Sequence, residues 1–259
     1  MAGPDIAVHA DPDVLAAAAA ARLLTRLVDL QAAGNIPKLV LTGGGVGIGM
    51  LEHIRGTVAR DAVDWGNVEF YWGDERFLPP GDPDRNDTQA RGALLDHVHV
   101  DPAKVFPMGA DTGTGPSGAD AAAQEYAQML ARAARPEDHG PVPSFDILLL
   151  GMGEEGHTAS VFPHSPAVYE TERSVVAVHG CPKPPPTRVT LTLPAIRRAA
   201  EVWIISSGGA KAAAVSMALS GAGEIAIPVG GAQGRRRTRW LLDRAAASKL
   251  PRDLVPAIG

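Results

Sequence analysis

The sequence of 259 residues contains one cysteine, Cys181, and this scarcity sets a first limit on what the chain can be. A single cysteine excludes an intramolecular disulfide and a metal site built from several thiolates. It fits a reducing compartment, where disulfides are rare. Because no histidine stands beside Cys181 in the sequence, we do not expect it to be a nucleophile.

Long hydrophobic runs and an excess of positive charge are also absent. The apolar run at residues 14–21 is far shorter than the roughly 20 residues that a membrane span needs. Asp5, Asp11 and Asp13 stand where a signal peptide would be basic or apolar. The net charge of -5 gives no reason to expect nucleic acid or an anionic membrane as a partner. We therefore expect a cytoplasmic protein that binds neither.

Several familiar catalytic and cofactor motifs are missing. The sequence has no G-x-S-x-G nucleophile elbow and no H-E-x-x-H zinc motif. The glycine-rich turn at residues 43–49 has neither the G-x-G-x-x-G spacing nor the Lys-Ser/Thr that would complete a Walker A motif. We therefore expect chemistry without a metal, a dinucleotide or another cofactor.

What the sequence does contain is a regular alternation of apolar strands and helices. Strands are predicted at residues 6–9, 38–42, 68–72, 147–150, 174–179, 189–193, 201–206 and 240–243, and helices at 11–33, from about 50, and at 88–97, 119–134 and 211–219. These spacings suit βαβ crossovers and a mostly parallel sheet. Since no linker or repeat divides the chain, we predict one α/β domain over residues 1–259.

Two strand–glycine turn–helix units predict anion binding. Gly43, Gly44 and Gly45 follow the strand at 38–42, and such a turn offers backbone N–H groups and a helix N-terminus to a phosphate. Tight packing against a neighbouring strand is the alternative explanation for these glycines. The second unit follows the strand at 201–206 and places Lys211 in the first turn of a helix, where its charge suits a phosphate contact.

A titratable group stands at the end of another predicted strand. The apolar residues 147–150 are followed by Gly151 and Gly153, which we expect to let the backbone turn sharply, and then by Glu155 and His157. In an open α/β sheet, ligands bind outside the carboxyl ends of the strands. Histidine has an ordinary pKa near working pH, which suits a general base. A surface histidine on a turn is the simpler alternative.

Six segments together resemble the 6-phosphogluconolactonases of the glucosamine-6-phosphate isomerase/6-phosphogluconolactonase family. They are LTGGG (41–45), FYWGDERFLP (70–79) with Arg85-Asn86 beyond it, FDILLLGMGEEGHTASVFP (145–163), PKPPPTRVTLTLPAI (182–196), SSGGAKAAAV (206–215) and WLLDRAA (240–246). The resemblance implies a Rossmann-like three-layer α/β/α sandwich with a mostly parallel sheet. It also implies hydrolysis of 6-phospho-D-glucono-1,5-lactone, a sugar-phosphate substrate, by a monomer or small homo-oligomer.

This resemblance suggests a role for each candidate site residue. His157 would be the general base, with Asp74 and Arg76 completing the catalytic site and Glu155 fixing the imidazole tautomer. Glu155 stands where the family often has aspartate, so its role is less firmly implied.

We expect Gly43, Gly44, Gly45, Arg188 and Lys211 to hold the substrate phosphate. A glucosamine-6-phosphate deaminase or isomerase is the competing enzyme, although that class tends to carry Asp-Glu-Tyr where this chain has Asp-Glu-Arg. The third alternative for the function is a sugar-phosphate-sensing domain without catalysis.

Overall fold

The computed structural model describes residues 5–251 and residue 254, and ten strands and six α-helices lie within them. The strands are β1 Asp5–His9, β2 Lys38–Leu41, β3 Glu69–Trp72, β4 Asp74–Arg76, β5 Val105–Phe106, β6 Ile147–Leu150, β7 Val175–Val178, β8 Arg188–Leu191, β9 Glu201–Ser206 and β10 Arg237–Asp243. The helices are α1 Pro12–Ala32, α2 Gly45–Gly56, α3 Asn86–Ala93, α4 Gly118–Ala133, α5 Leu193–Ile196 and α6 Ala212–Leu219.

Seven strands form one parallel sheet in the order β1-β10-β9-β6-β2-β3-β5. The chain moves outward in one direction from β2 through β3 to β5, and in the other from β6 through β9 to β10. The neighbours β2 and β6 therefore mark the topological switch point, where such sheets form a ligand crevice. The predicted mostly parallel α/β fold is confirmed.

The centre of the sheet is buried because its strands are apolar on both faces. All four residues of β6 are buried, as the continuous run of isoleucine and leucine predicts. Helix α1 begins where the Asp11 side chain accepts a hydrogen bond from the Val14 N–H. Its buried stripe, which includes Leu15, Leu23 and Leu27, packs into the same core.

Three strands form a second, antiparallel sheet in the order β4-β8-β7. The prediction of a simple alternation of helices and parallel strands was therefore incomplete. The predicted strands at 174–179 and 189–193 lie in it. The chain changes sheets at Gly73, whose N–H donates to Leu41 O while its carbonyl accepts from Leu191 N. Arg188, which stands just before the predicted strand at 189–193, is the first residue of β8.

Several element boundaries differ from the prediction. Helix α2 begins at Gly45, well before Met50, because Gly44 adopts a φ of 85° at the N-cap and the following glycines continue as helix. Helix α3 spans Asn86–Ala93, which is shorter and earlier than predicted, and a separate 3₁₀ turn covers Leu95–His97. Within the residues that the structure describes, none of the helices combines the length and hydrophobicity needed to cross a membrane.

Candidate active site

The carboxyl ends of β2, β3, β6 and β9 meet around one cavity of about 150 Å³. At the switch point, the Gly151 N–H donates to Thr42 Oγ1 over 3.3 Å and so joins the ends of β6 and β2. The cavity is lined by residues from five separate parts of the chain, namely Thr42, Gly43, Gly44, Gly45, Val46, Gly47, Asp74, Arg76, Asn86, Gly151, Met152, His157, Ala159, Arg188, Ile205 and Lys211.

The first glycine turn presents the N-terminus of α2 to this cavity. Gly45 is the first residue of the helix, and the first N–H groups of an α-helix have no partner within it. A Cβ at Gly43 would lie 2.0 Å from Asn86 Oδ1, so the glycine makes room for the neighbouring amide. Anion binding and tight packing both remain valid explanations of these glycines, because the turn packs closely against Asn86 and also faces the cavity.

His157 and Glu155 form a hydrogen-bonded pair at the other side of the cavity. His157 Nδ1 lies 3.0 Å from Glu155 Oε1, and the imidazole stacks on Phe162 with 4.3 Å between ring centroids. An ionised carboxylate only accepts hydrogen bonds, so Nδ1 carries the proton and Nε2 keeps its lone pair. This is the tautomer that a general base needs.

The surroundings keep this imidazole neutral and this carboxylate ionised. Burial, together with the charge of Lys183, lowers the pKa of His157 below its ordinary value of 6.5, although Glu155 and Asp74 act to raise it. For Glu155, burial acts to raise the pKa, but its own N–H, Lys183 and His157 together lower it below the ordinary value. Near neutral pH the pair is therefore a neutral base held by an anion.

Asp74 is fixed by two neutral groups. Its Oδ2 accepts from Ser160 Oγ at 2.7 Å, and its Oδ1 accepts from Asn86 Nδ2 at 3.3 Å. The guanidinium of Arg76 donates instead to Asp84 O at 2.6 Å. Arg76 is thus held by a carbonyl at the cavity wall, and Asp74 is held independently of it.

Two cations complete the cavity wall. Arg188 is buried, donates to the carbonyl oxygens of residues 183–185, and lies 6.0 Å from the Phe162 ring centroid. Burial lowers the pKa of the half-buried Lys211, and nearby Lys183 lowers it further. Three cationic side chains thus line the cavity against the single carboxylate of Asp74, which makes it attractive to an anion.

The structure brings eight of the nine predicted site residues to the cavity wall, and the ninth, Glu155, lies directly behind His157. The sequence analysis gave no site role to Asn86 and Ser160, which anchor Asp74. The signal for Asn86 was its place next to Arg85, just beyond the Asp-Glu-Arg segment. Among the described residues, histidine, cysteine and carboxylate side chains do not gather in threes where a metal could bind. The roles of the site residues stay predictions.

The fold and the cavity together define a class, the α/β enzymes that bind a small anionic molecule at the switch point of a parallel sheet. Comparisons with known proteins show which family within this class the chain belongs to. The family model for glucosamine-6-phosphate isomerases/6-phosphogluconolactonase matches residues 10–240. The 6-phosphogluconolactonase of Streptomyces coelicolor is 58% identical over 253 residues, which cover 98% of this chain and 97% of that protein.

Two further relatives agree with this match. The 6-phosphogluconolactonase of Mycobacterium tuberculosis is 50% identical over 246 residues, which cover 95% of this chain and 98% of that protein. The solved structure of 6-phosphogluconolactonase from Trypanosoma brucei superimposes with a TM-score of 0.84 at 28% identity, covering 96% of this chain and 99% of that one. This chain belongs to the glucosamine-6-phosphate isomerase/6-phosphogluconolactonase family, as the resemblance of its motifs predicted.

Proposed function

We propose that this chain hydrolyses 6-phospho-D-glucono-1,5-lactone to 6-phospho-D-gluconate, a step of the oxidative pentose phosphate pathway. The observation that carries the proposal is the neutral imidazole of His157, held by Glu155 beside a cation-lined cavity. The names of the relatives at 58% and 50% identity over nearly the whole chain support the same substrate.

His157 acts on water as a general base. Its Nε2 takes a proton while the water oxygen bonds to the lactone carbonyl carbon, and negative charge develops on the carbonyl oxygen. Arg76 stabilises that charge, and Asp74 helps to place the water. The ring C–O bond then breaks, and the imidazolium returns its proton to the departing hydroxyl oxygen. A lactone is an activated ester, so the reaction needs no covalent nucleophile and no metal.

The phosphate of the substrate binds at the opposite wall of the cavity. The N–H groups of Gly43, Gly44 and Gly45 at the start of α2 receive it, because an anion is favoured at a helix N-terminus. Arg188 and Lys211 supply positive charge, the first as a planar fork and the second as a point charge.

We also propose the setting of this activity. The chain works in the cytoplasm as a single domain over residues 1–259, as a monomer or small homo-oligomer, and binds neither nucleic acid nor membrane. The net charge of -5 and the lone cysteine support this setting.

An assay on two substrates tests the function. Purified protein should accelerate loss of the phosphorylated lactone, followed by acid release in a pH-stat, and should release no ammonia from glucosamine 6-phosphate. A chelator should leave the rate unchanged. Ammonia release without faster lactone loss would establish the deaminase reading, and loss of activity on chelation would remove the metal-free mechanism.

A further inference from the structure

Lys183 lies behind the proposed base and contacts its carboxylate partner. Its Nζ is 3.0 Å from Glu155 Oε2, while the other oxygen of the same carboxylate, Oε1, is 3.0 Å from His157 Nδ1. One carboxylate therefore bridges an ammonium group and an imidazole. The side chain of Lys183 is 43% exposed and that of His157 is 14% exposed, so the charges run inward from solvent to the cavity.

The backbone of Lys183 is anchored from the cavity side. Arg188 Nη2 donates to Lys183 O at 3.2 Å and to Pro184 O at 3.0 Å, and Arg188 Nε donates to Pro185 O at 3.2 Å. Proline fixes its own φ, so little freedom is left in this segment. The backbone of Lys183 is thereby held in place, so that pairing with Glu155 orders the side chain alone.

Charges from several elements face His157. Glu155 comes from its own loop, Asp74 from β4 and Lys183 from the proline segment, and all three act on its proton affinity. Arg188, which lies 6.0 Å from the Phe162 ring centroid, and Arg76 and Lys211, which line the same cavity as His157, add further positive charge. Lys183 is distinct among these cations because it reaches the imidazole through the carboxylate that orients it.

We propose that Lys183 is a positioning residue for the proposed lactone hydrolysis: its ammonium group fixes Glu155 against His157 and opposes protonation of the imidazole. Its expected effect on the rate of lactone hydrolysis rests on the proposed function. In this proposal Lys183 is not a phosphate ligand, because its Nζ is paired with Glu155. The described residues that line the cavity also include Lys211 and Arg188 but not Lys183.

The positive charge of Lys183 acts on the proton affinity of the imidazole in two ways that have the same sign. Its positive charge lowers the pKa of His157 directly. It also shares the carboxylate of Glu155, so that less of the negative charge is available to stabilise imidazolium. Removing Lys183 should therefore raise the pKa of His157, and the enzyme should lose activity at a higher pH as the solution is acidified.

The test compares pH–rate profiles of the wild type, Lys183→Met, Lys183→Arg and Lys38→Met. The acid limb of Lys183→Met should move to higher pH, with its KM for the lactone unchanged. Lys183→Arg should restore the wild-type limb because it keeps the charge. Lys38→Met removes the same charge at the opposite, amino end of β2 and should leave the limb in place. Salt at roughly 1 M should move the wild-type limb toward that of Lys183→Met, since this pair is partly exposed.

An NMR titration of the His157 imidazole gives a readout that needs no turnover, and it separates this inference from the proposed function. A higher titration midpoint in Lys183→Met supports the inference even if the wild type does not hydrolyse the lactone. Coincident midpoints in the folded wild type and Lys183→Met would overturn it. A raised KM with an unmoved limb would also overturn it and would make Lys183 a phosphate ligand instead.

Discussion

Replacing His157 with alanine tests the proposed mechanism most directly. The imidazole is held by the 3.0 Å hydrogen bond to Glu155 and by its stack on Phe162, so its lone pair has a fixed direction. A base positioned in this way typically contributes about 10²- to 10⁴-fold, or about 3–5 kcal/mol of activation free energy. We expect kcat for the lactone to fall by that factor while KM stays close to the wild-type value.

The same variant should fold, because the side chain of His157 stands at the edge of a cavity and is 14% exposed. Unfolding in urea should show a loss of only about 1 kcal/mol, the usual size for a point substitution. His179→Ala is the matched control. It removes an imidazole that also lies 3.0 Å from a carboxylate, that of Asp120, but that does not line the cavity.

The assay is a pH-stat measurement of lactone hydrolysis, corrected for the uncatalysed reaction, at several pH values. Wild-type activity should be level above the pKa of His157, which burial places below 6.5, and should decline as the pH falls through it. The reason is that the protonated ring has no lone pair to offer. Full activity in His157→Ala, or an acid limb that persists in that variant, would refute the general-base assignment.

Two further predictions concern binding and stability. Lys211→Ala and Arg188→Ala should each raise KM by about 10- to 100-fold, the value of one charge-assisted hydrogen bond, with a smaller change in kcat; an unchanged KM in both would remove them from the phosphate site. Glu75→Ala should lower the free energy of unfolding by about 3–5 kcal/mol, because Glu75 is fully buried, accepts three backbone N–H groups and lies 3.5 Å from the buried Arg85. Urea titration measures this loss, Glu137→Ala on the surface should show little of it, and equal stability of the two variants would contradict the prediction.

The sequence predicted the gathering of most site residues because they follow recognisable strands, whereas Arg188 begins one. In a parallel sheet, all carboxyl ends lie at one edge, so residues far apart in sequence are expected to meet there. Gly43, His157 and Lys211 meet in this way at the ends of β2, β6 and β9. The apolar run of β6 predicted its buried, central place for the same local reason.

The sequence could not predict contacts that depend on how separate loops pack. The antiparallel sheet arises because the chain changes sheets at Gly73, and a pattern of alternating residues does not reveal the strand that it will join. The pairing of Lys183 with Glu155 spans 28 positions between two loops. The fit of Asn86 against Gly43 is likewise a matter of side-chain volume. None of these contacts has a period or a spacing that could have indicated it.

The glycines of the histidine loop are needed for different physical reasons. We expected Gly151 and Gly153 to let the backbone turn sharply. The described residues of this loop with positive φ are instead Gly156, with a φ of 86°, and Ala159, with a φ of 48°. Gly153 matters for another reason. A Cβ there would lie 2.1 Å from His157 Nδ1 and 2.7 Å from Glu155 Oε2, so any side chain would occupy the space of the hydrogen-bonded pair. The two glycines thus have different roles. Gly156 supplies the turn that brings His157 back toward β6, and Gly153 leaves room for the imidazole to contact the carboxylate of Glu155.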